Sequence, residues 1–237
     1  MRVLQVRDLC ASYGQVRALR GVNIEVHSAG VVAIIGRNGA GKSTLLKAIF
    51  GEVPVTSGSI ELFGHEIQNA APNELVRLGV CFLAEDGRLF PELTVEQNLK
   101  LGAYCRSDRK RIEMDLEAVY DWFPALRENN KRMAGQLSGG QQKLLALAQT
   151  LMAQPKLLLL DEVCAGLSPA WARQVLSVLR QVRDKRDMAI LLVENAFSAV
   201  LSIADQWYVM DSGKIAFCAP VAGAPRKDEL LKMISWV

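Results

Sequence analysis

Gly36-Arg37-Asn38-Gly39-Ala40-Gly41-Lys42-Ser43-Thr44 follows the pattern G-x-x-x-x-G-K-[ST], a phosphate-binding loop. Glycines here let the backbone curl until successive N–H groups face phosphate oxygens. A helix starting at the loop adds the positive end of its dipole. In that frame Lys42 reaches the β- and γ-phosphates of a nucleotide, and Ser43 ligates Mg²⁺. A second stretch, Leu157-Leu158-Leu159-Leu160-Asp161-Glu162, ends an apolar run in two acids. At a strand end Asp161 lies beside the phosphate loop and can hold Mg²⁺, commonly through water. Glu162, one residue on, can polarise an attacking water. A third stretch, Leu137-Ser138-Gly139-Gly140-Gln141-Gln142, opens a helical run through Ala148. Ser138 can cap that helix, whose exposed N–H groups and dipole make a second anion site.

These residues need a scaffold. Val31 to Ile35 is an apolar, β-branched run that reads as a buried strand feeding the phosphate loop, and Ser43 to Phe50 suits the helix after it. Residues 2–6 and 22–26 alternate apolar and polar as half-buried strands do. Gly58 to Gly64 reads as a hairpin strand and Val80 to Ala84 as another apolar one. From about 93 to 153 the periodicity is helical, which predicts a helical lobe inserted into an α/β core. Leu157 to Leu160 and Met188 to Val193 are expected to be buried strands, with an amphipathic helix over Ala170–Arg183 between them and Pro169 near its start. Asp211-Ser212-Gly213 is placed as the turn of a hairpin, and Asp228 to Ile234 as a terminal helix. Arg106 to Arg111 carries four basic residues and reads as a solvated helix start, with contact to membrane lipid or a partner as the alternative.

Half of the 237 residues are hydrophobic, enough for a substantial core. A net charge of +3 gives no argument for a nucleic-acid partner. Five scattered cysteines without a C-x-x-C pair fit reduced thiols better than a disulfide frame or a zinc site. Two histidines rule out a His-rich metal cluster. No apolar run approaches bilayer length, and the first residues lack a signal-peptide core. The expectation is a soluble chain, or one peripheral through a partner.

With the three motifs in this order, the chain resembles the ATP-binding cassette (ABC) ATPases from Tyr13 to about Ile215. The resemblance implies an α/β fold: a P-loop NTPase (RecA-like) core, an N-terminal antiparallel β subdomain and an inserted helical subdomain. One ABC domain then spans residues 1–237. Residues 1–30 with 58–64 form the β subdomain, 31–57, 65–92 and 154–237 the core, and 93–153 the helical subdomain. It further implies ATP and Mg²⁺ as ligands and two domains packed head to tail. Gly36, Asn38, Gly39, Ala40, Gly41, Lys42, Ser43 and Thr44 would cradle the phosphates. Ser138, Gly139, Gly140 and Gln141 would complete the site of the partner domain. Tyr13, expected on a loop after the first strand, would stack on adenine, and Ala165 to Ser168 would touch the other subunit. The segments Glu85–Leu99, Gln154–Glu162 and Val193-Glu194-Asn195 look like those of an ATPase of branched-chain amino-acid importers, whose relatives carry urea, amides or other small solutes. That implies integral-membrane permeases, a second ABC ATPase subunit in a heterodimer or homodimer, and a periplasmic solute-binding protein. The implied location is the cytoplasmic face of the inner membrane. Leu89 and Phe90 are apolar loop residues suited to meeting a permease.

Several positions depart from the general cassette. Glu85 replaces a glutamine and can still ligate Mg²⁺. Asn195, eight residues before Ile203, replaces the histidine that steadies the catalytic water, and offers an amide but no titratable group. That substitution at Asn195 predicts slower hydrolysis at this subunit's own phosphate loop, not its loss, while Val163 and Cys164 replace a proline and a small hydroxyl, which predicts a looser turn after Glu162. Gln149 replaces an arginine. Two other functions remain open: a soluble ABC ATPase acting on DNA or ribosomes, and a weakly hydrolysing regulatory subunit. The ordinary lobe between Ser43 and Ser138, with no coiled coil, weighs against the first. The retained Glu162 weighs against the second.

Overall fold

A computed structural model describes residues 1–195 and 203–220. Within them lie two sheets. The first is antiparallel and pairs β1 (Arg2–Tyr13), β2 (Val16–His27), β4 (Val55–Leu62) and β5 (His65–Glu66) in the order β2-β1-β4-β5. The second contains β3 (Val31–Ile35), β6 (Val80–Leu83), β7 (Leu157–Asp161), β8 (Ala189–Val193), β9 (Gln206–Asp211) and β10 (Lys214–Pro220) in the order β10-β9-β3-β8-β7-β6. It is parallel from β9 through β6, with β10 returning antiparallel as the second strand of a hairpin.

Strands β3, β7 and β8 are buried at every residue, as near-continuous apolar runs in a parallel sheet covered on both faces should be. Alternation along the strand decides which cover each side chain meets. Leu158 and Leu160 join one core with Leu99, Leu116, Leu145 and Leu147 of the lobe and Leu179 of α7 (Pro169–Arg186). Leu157 and Leu159 join the other with Leu45 and Leu46 of α1 (Lys42–Ile49) and Leu4, Leu19 and Ile24 of the antiparallel sheet. The central sheet is therefore sandwiched between the helical lobe and the β subdomain.

The elements differ from sequence expectation mainly at their edges. The first two strands run for 12 residues each because a tight turn joins them directly. Strand β4 starts earlier than expected, at Val55, and stops before Phe63 and Gly64, whose positive φ values make a turn into β5. Helix α2 (Pro72–Leu78) carries no strong apolar period and escaped notice. The predicted terminal helix at 228–234 lies outside the described residues.

The lobe contains α3 (Val95–Gly102), α4 (Arg109–Trp122), α5 (Pro124–Glu128) and α6 (Gly139–Met152). Thr94 starts α3 with a reciprocal cap: its Oγ1 accepts the Gln97 N–H at 3.2 Å, and Gln97 Oε1 accepts the Thr94 N–H at 2.8 Å. Where α3 crosses α6, a Cβ on Gly102 would lie 1.9 Å from the Gln149 carbonyl oxygen, so only glycine fits. The basic run is not uniformly solvated. Helix α4 begins at Arg109, and Arg106 before it turns inward, with an 11 % exposed side chain paired to Asp115 and Asp108. Asp115 also meets Arg186 at 2.5 Å and Gln154 at 2.6 Å, which ties the lobe to the end of α7 and the start of the core. Its buried carboxylate offsets two guanidinium groups and draws them away from water.

Candidate functional site

The phosphate loop leaves β3 at Gly36, where a Cβ would stand 2.2 Å from the carbonyl oxygen of Met210 on β9. Gly39 and Gly41 have φ of +81° and +102°, a region open to glycine, and they turn the chain into α1. Among the described residues no side chain caps that helix and no acid sits in its first turn, so its N–H groups and positive dipole end are free for an anion. Lys42 is 4 % exposed. Its Nζ donates to the carbonyls of Gly36 at 2.9 Å and Arg37 at 3.1 Å, and to Asn195 Oδ1 at 2.9 Å. Burial holds the Lys42 ammonium below its ordinary pKa, against the opposing pull of Glu162, Asp161 and Glu194.

Ser43 Oγ donates to Asp161 Oδ1 at 2.9 Å, which places the first acid beside the loop. Burial raises the Asp161 carboxyl, the Ser43 hydrogen bond lowers it, and the neighbouring Glu162 charge raises it again. Asn195 Nδ2 donates to Glu162 Oε1 at 2.7 Å. The amide thus accepts from the lysine and donates to the glutamate, joining residues 42, 195 and 162 in one chain. A cavity of about 590 Å³ opens between this network and β2, bordered by Val16, Ala18, Asn38, Thr44, Glu85 and Glu162. Tyr13 is the last residue of β1 rather than part of a loop beyond it, and is half exposed. Hairpin pairing with Val16 keeps it in the strand.

Ser138 and Gly139 are exposed at the start of α6, with Gly140 and Gln141 half-buried. Ser138 Oγ accepts the Gln141 N–H at 3.4 Å, and Gln141 Oε1 accepts the Ser138 N–H at 3.0 Å. None of the four borders the cavity beside Lys42. Gly140 is required by packing as well, since its Cβ would meet the Trp171 ring at 2.3 Å. A second cavity of about 870 Å³ separates lobe from core and is flanked by Ser43, Glu85 and Asp161 on one side and Gly139, Gln142 and Lys143 on the other. In the loop between them, Phe90 is 55 % exposed while Leu89 packs against the core.

Near the site, sequence reasoning gave no role to the buried polar residues Asn98 and Glu194. Asn98 of α3 accepts the Phe90 N–H at 2.9 Å and donates to the carbonyls of Phe90, Leu93 and Thr94, which pins the loop before the lobe. Glu194, 1 % exposed, accepts the Cys164 N–H at 2.8 Å. Its only sequence signal is a charge directly after five apolar strand residues. The turn after Glu162 is bonded on both sides although Val163 replaces a proline: the Glu162 N–H donates to Val193 O at 2.9 Å and the Ala165 N–H to Glu162 O at 3.1 Å. Burial pushes the Cys164 thiol up to about 12, with Glu194 adding to the shift, which suits a packing thiol.

Residues 19–165 match the ABC transporter family, and the chain belongs to it. It is similar to a probable branched-chain amino acid transport ATP-binding protein, LivF, of Archaeoglobus fulgidus: 39 % identical over 215 residues, covering 91 % of each chain. It is 38 % identical to BraG, a high-affinity branched-chain amino acid transport ATP-binding protein of Pseudomonas aeruginosa, over 86 % of each. Among solved structures, an ATP-binding cassette of an ABC transporter in its ADP conformation superposes with a TM-score of 0.80 at 29 % identity, covering 99 % of this chain and 95 % of the other. An ATP-binding subunit of another ABC transporter gives 0.86 at 26 % identity, covering 98 % and 99 %.

Proposed function

We propose that this chain is the ATP-binding and ATP-hydrolysing subunit of an ABC importer, powering uptake of branched-chain amino acids or related small solutes through partner permeases. The observation that carries the reading is a pair of hydrogen-bonded links at the start of α1: Ser43 of the phosphate loop meets Asp161, and Lys42 meets Asn195, which in turn meets Glu162. Relatives at 38–39 % identity that bear branched-chain amino acid transport names support the solute class.

Residues 36–44 hold the phosphates on backbone N–H groups, and Lys42 exchanges its Gly36 and Arg37 carbonyl acceptors for β- and γ-phosphate oxygens while it keeps Asn195. Tyr13 stacks on the adenine. Mg²⁺ fits residues that offer a hydroxyl and a carboxylate, because the ion keeps several waters and takes phosphate oxygens instead of an all-protein cage. Ser43 and Asp161 would hold it, with Glu85 on the rim, and it would supply positive charge against the phosphates. Glu162 takes a proton from water as the water oxygen attacks the γ-phosphorus. The bond to the β–γ bridging oxygen breaks, and ADP and phosphate leave. Asn195 orients Glu162. Ser138, Gly139, Gly140 and Gln141 complete the site of a second ABC subunit, in a heterodimer or a homodimer. Integral-membrane permeases dock at the Glu85–Leu93 loop, a periplasmic solute-binding protein supplies the solute, and the chain works at the cytoplasmic face of the inner membrane. No helix among the described residues is long and apolar enough to cross a membrane.

Phosphate release by the purified chain tests this, beside Lys42→Ala and Glu162→Gln. Turnover should rise with protein concentration and fall at least ~100-fold in both variants, as expected for loss of preorganised charge stabilisation or the general base. Turnover that persists in both variants, or a chain that binds no Mg-ATP, would overturn the reading.

A further inference from the structure

Glu194 follows the last residue of β8 and is closed off from solvent. Its Oε1 accepts the N–H of Cys164 at 2.8 Å, while the carbonyl of the preceding Val193 accepts the N–H of Glu162 at 2.9 Å. The turn Glu162-Val163-Cys164 is therefore held at both ends, by a backbone group at one and a side chain at the other. The N–H of Glu194 itself donates to Ile34 O at 3.2 Å, on the strand that feeds the phosphate loop. The next residue, Asn195, joins Lys42 to Glu162.

The turn needs such a tie. Glu162 has φ of +49°, a region a non-glycine residue rarely adopts, and no proline stiffens position 163. A carboxyl group is costly to bury without partners, yet one stands where another apolar residue would simply prolong the strand. From the opposite side Lys143 of α6 donates its Nζ to Ala165 O at 2.5 Å, so the loop beyond the turn is anchored to the helix that Ser138 opens.

We propose that Glu194 is a positioning residue for hydrolysis: its carboxyl ties the Cys164 amide to the end of β8, and so holds Glu162 and the Ala165–Ser168 loop in working geometry. This rests on Glu162 activating water, as proposed above. Burial keeps the Glu194 carboxyl above its usual range, with the Glu162 charge adding to the shift and the Cys164 bonds opposing it. Either protonation state retains an acceptor oxygen for the Cys164 amide.

The test compares wild type with Glu194→Ala and Glu194→Gln in three readouts: ATP turnover, Mg-ATP affinity and amide hydrogen exchange. In the alanine variant the 163–166 amides should exchange ~10-fold faster or more, since a buried donor loses its partner. Its kcat should fall about 10- to 100-fold through misplacement of Glu162, with Mg-ATP affinity nearly unchanged. Glutamine keeps the acceptor and should retain most of the turnover. An alanine variant with wild-type kcat, a glutamine variant as slow as alanine, or a loss of affinity and thermal midpoint in step with kcat would each overturn the proposal. If the alanine variant does not fold, the wild-type Cys164 amide decides: protection equal to that of β8 supports the tie, and exchange as fast as an exposed loop removes it. A wild-type chain that binds no Mg-ATP overturns the proposed function instead, and the Cys164 exchange still reports on the tie.

Discussion

At residue 195 an asparagine does two jobs at once. Its carbonyl oxygen accepts from Lys42 while its amide donates to Glu162, 33 residues away along the chain. A neutral imidazole can match that pattern only in one tautomer, and an imidazolium cannot accept from the lysine at all. Asparagine therefore frees this contact from pH. Replacing it should reintroduce the dependence: Asn195→His should turn over ATP well at pH 8 and lose activity as the pH falls through about 6.5, the ordinary histidine pKa. A pH–rate profile of the variant against wild type checks this. An unchanged profile would mean that the bridge is not kept during turnover.

At the scale of elements, glycine sets the approach of the helices. Gly102 of α3 lies against the Gln149 carbonyl of α6, and Gly140 of α6 against the Trp171 ring of α7. The backbone carbonyl cannot swing aside as a side chain can, so Gly102 is the less forgiving of the two. Gly102→Ala should force α3 off α6 and lower unfolding free energy by about 1–3 kcal/mol, the usual cost of overpacking. Urea denaturation measures it. The Asn98 side chain then marks how α3 reports to the loop before it. Any shift of the helix moves the four hydrogen bonds that hold Phe90, Leu93 and Thr94. The apolar Phe90 proposed to face a permease is thus placed by a helix and not by the loop itself.

Across the whole molecule, the lobe and the core share more than an apolar interface. Asp115 of α4 binds Arg106 of the lobe, Arg186 of α7 and Gln154 at the entry to β7. Arg186 also covers the Trp122 ring, 5.6 Å from its centroid. Removing the carboxylate would leave two part-buried guanidinium groups without their shared anion. Asp115→Ala should cost about 3 kcal/mol on that account. Denaturant unfolding gives the size, and a milder loss in Asp115→Asn would separate charge from hydrogen bonding. Burial of the apolar faces alone would leave both variants close to wild type.

The sequence by itself determined what depends on local spacing. Five apolar residues before Gly36 and four before Asp161 read as buried strands, and the glycine pattern between Gly36 and Lys42 suits a phosphate cradle, so the phosphate loop, the acid pair and the capped helix at Ser138 were legible at once. The unbroken apolar runs at 31–35, 157–160 and 188–193 also marked those strands as buried. Only the tertiary structure decided the partners of buried polar groups. Lys42 meets Asn195 across 153 residues, Asp115 meets Arg186 across 71, and Glu194 meets Cys164 across 30. Periodicity records which face of an element leaves water. It holds no record of which distant donor will answer a buried carboxylate, because that depends on where separate strand ends come to rest in the folded sheet.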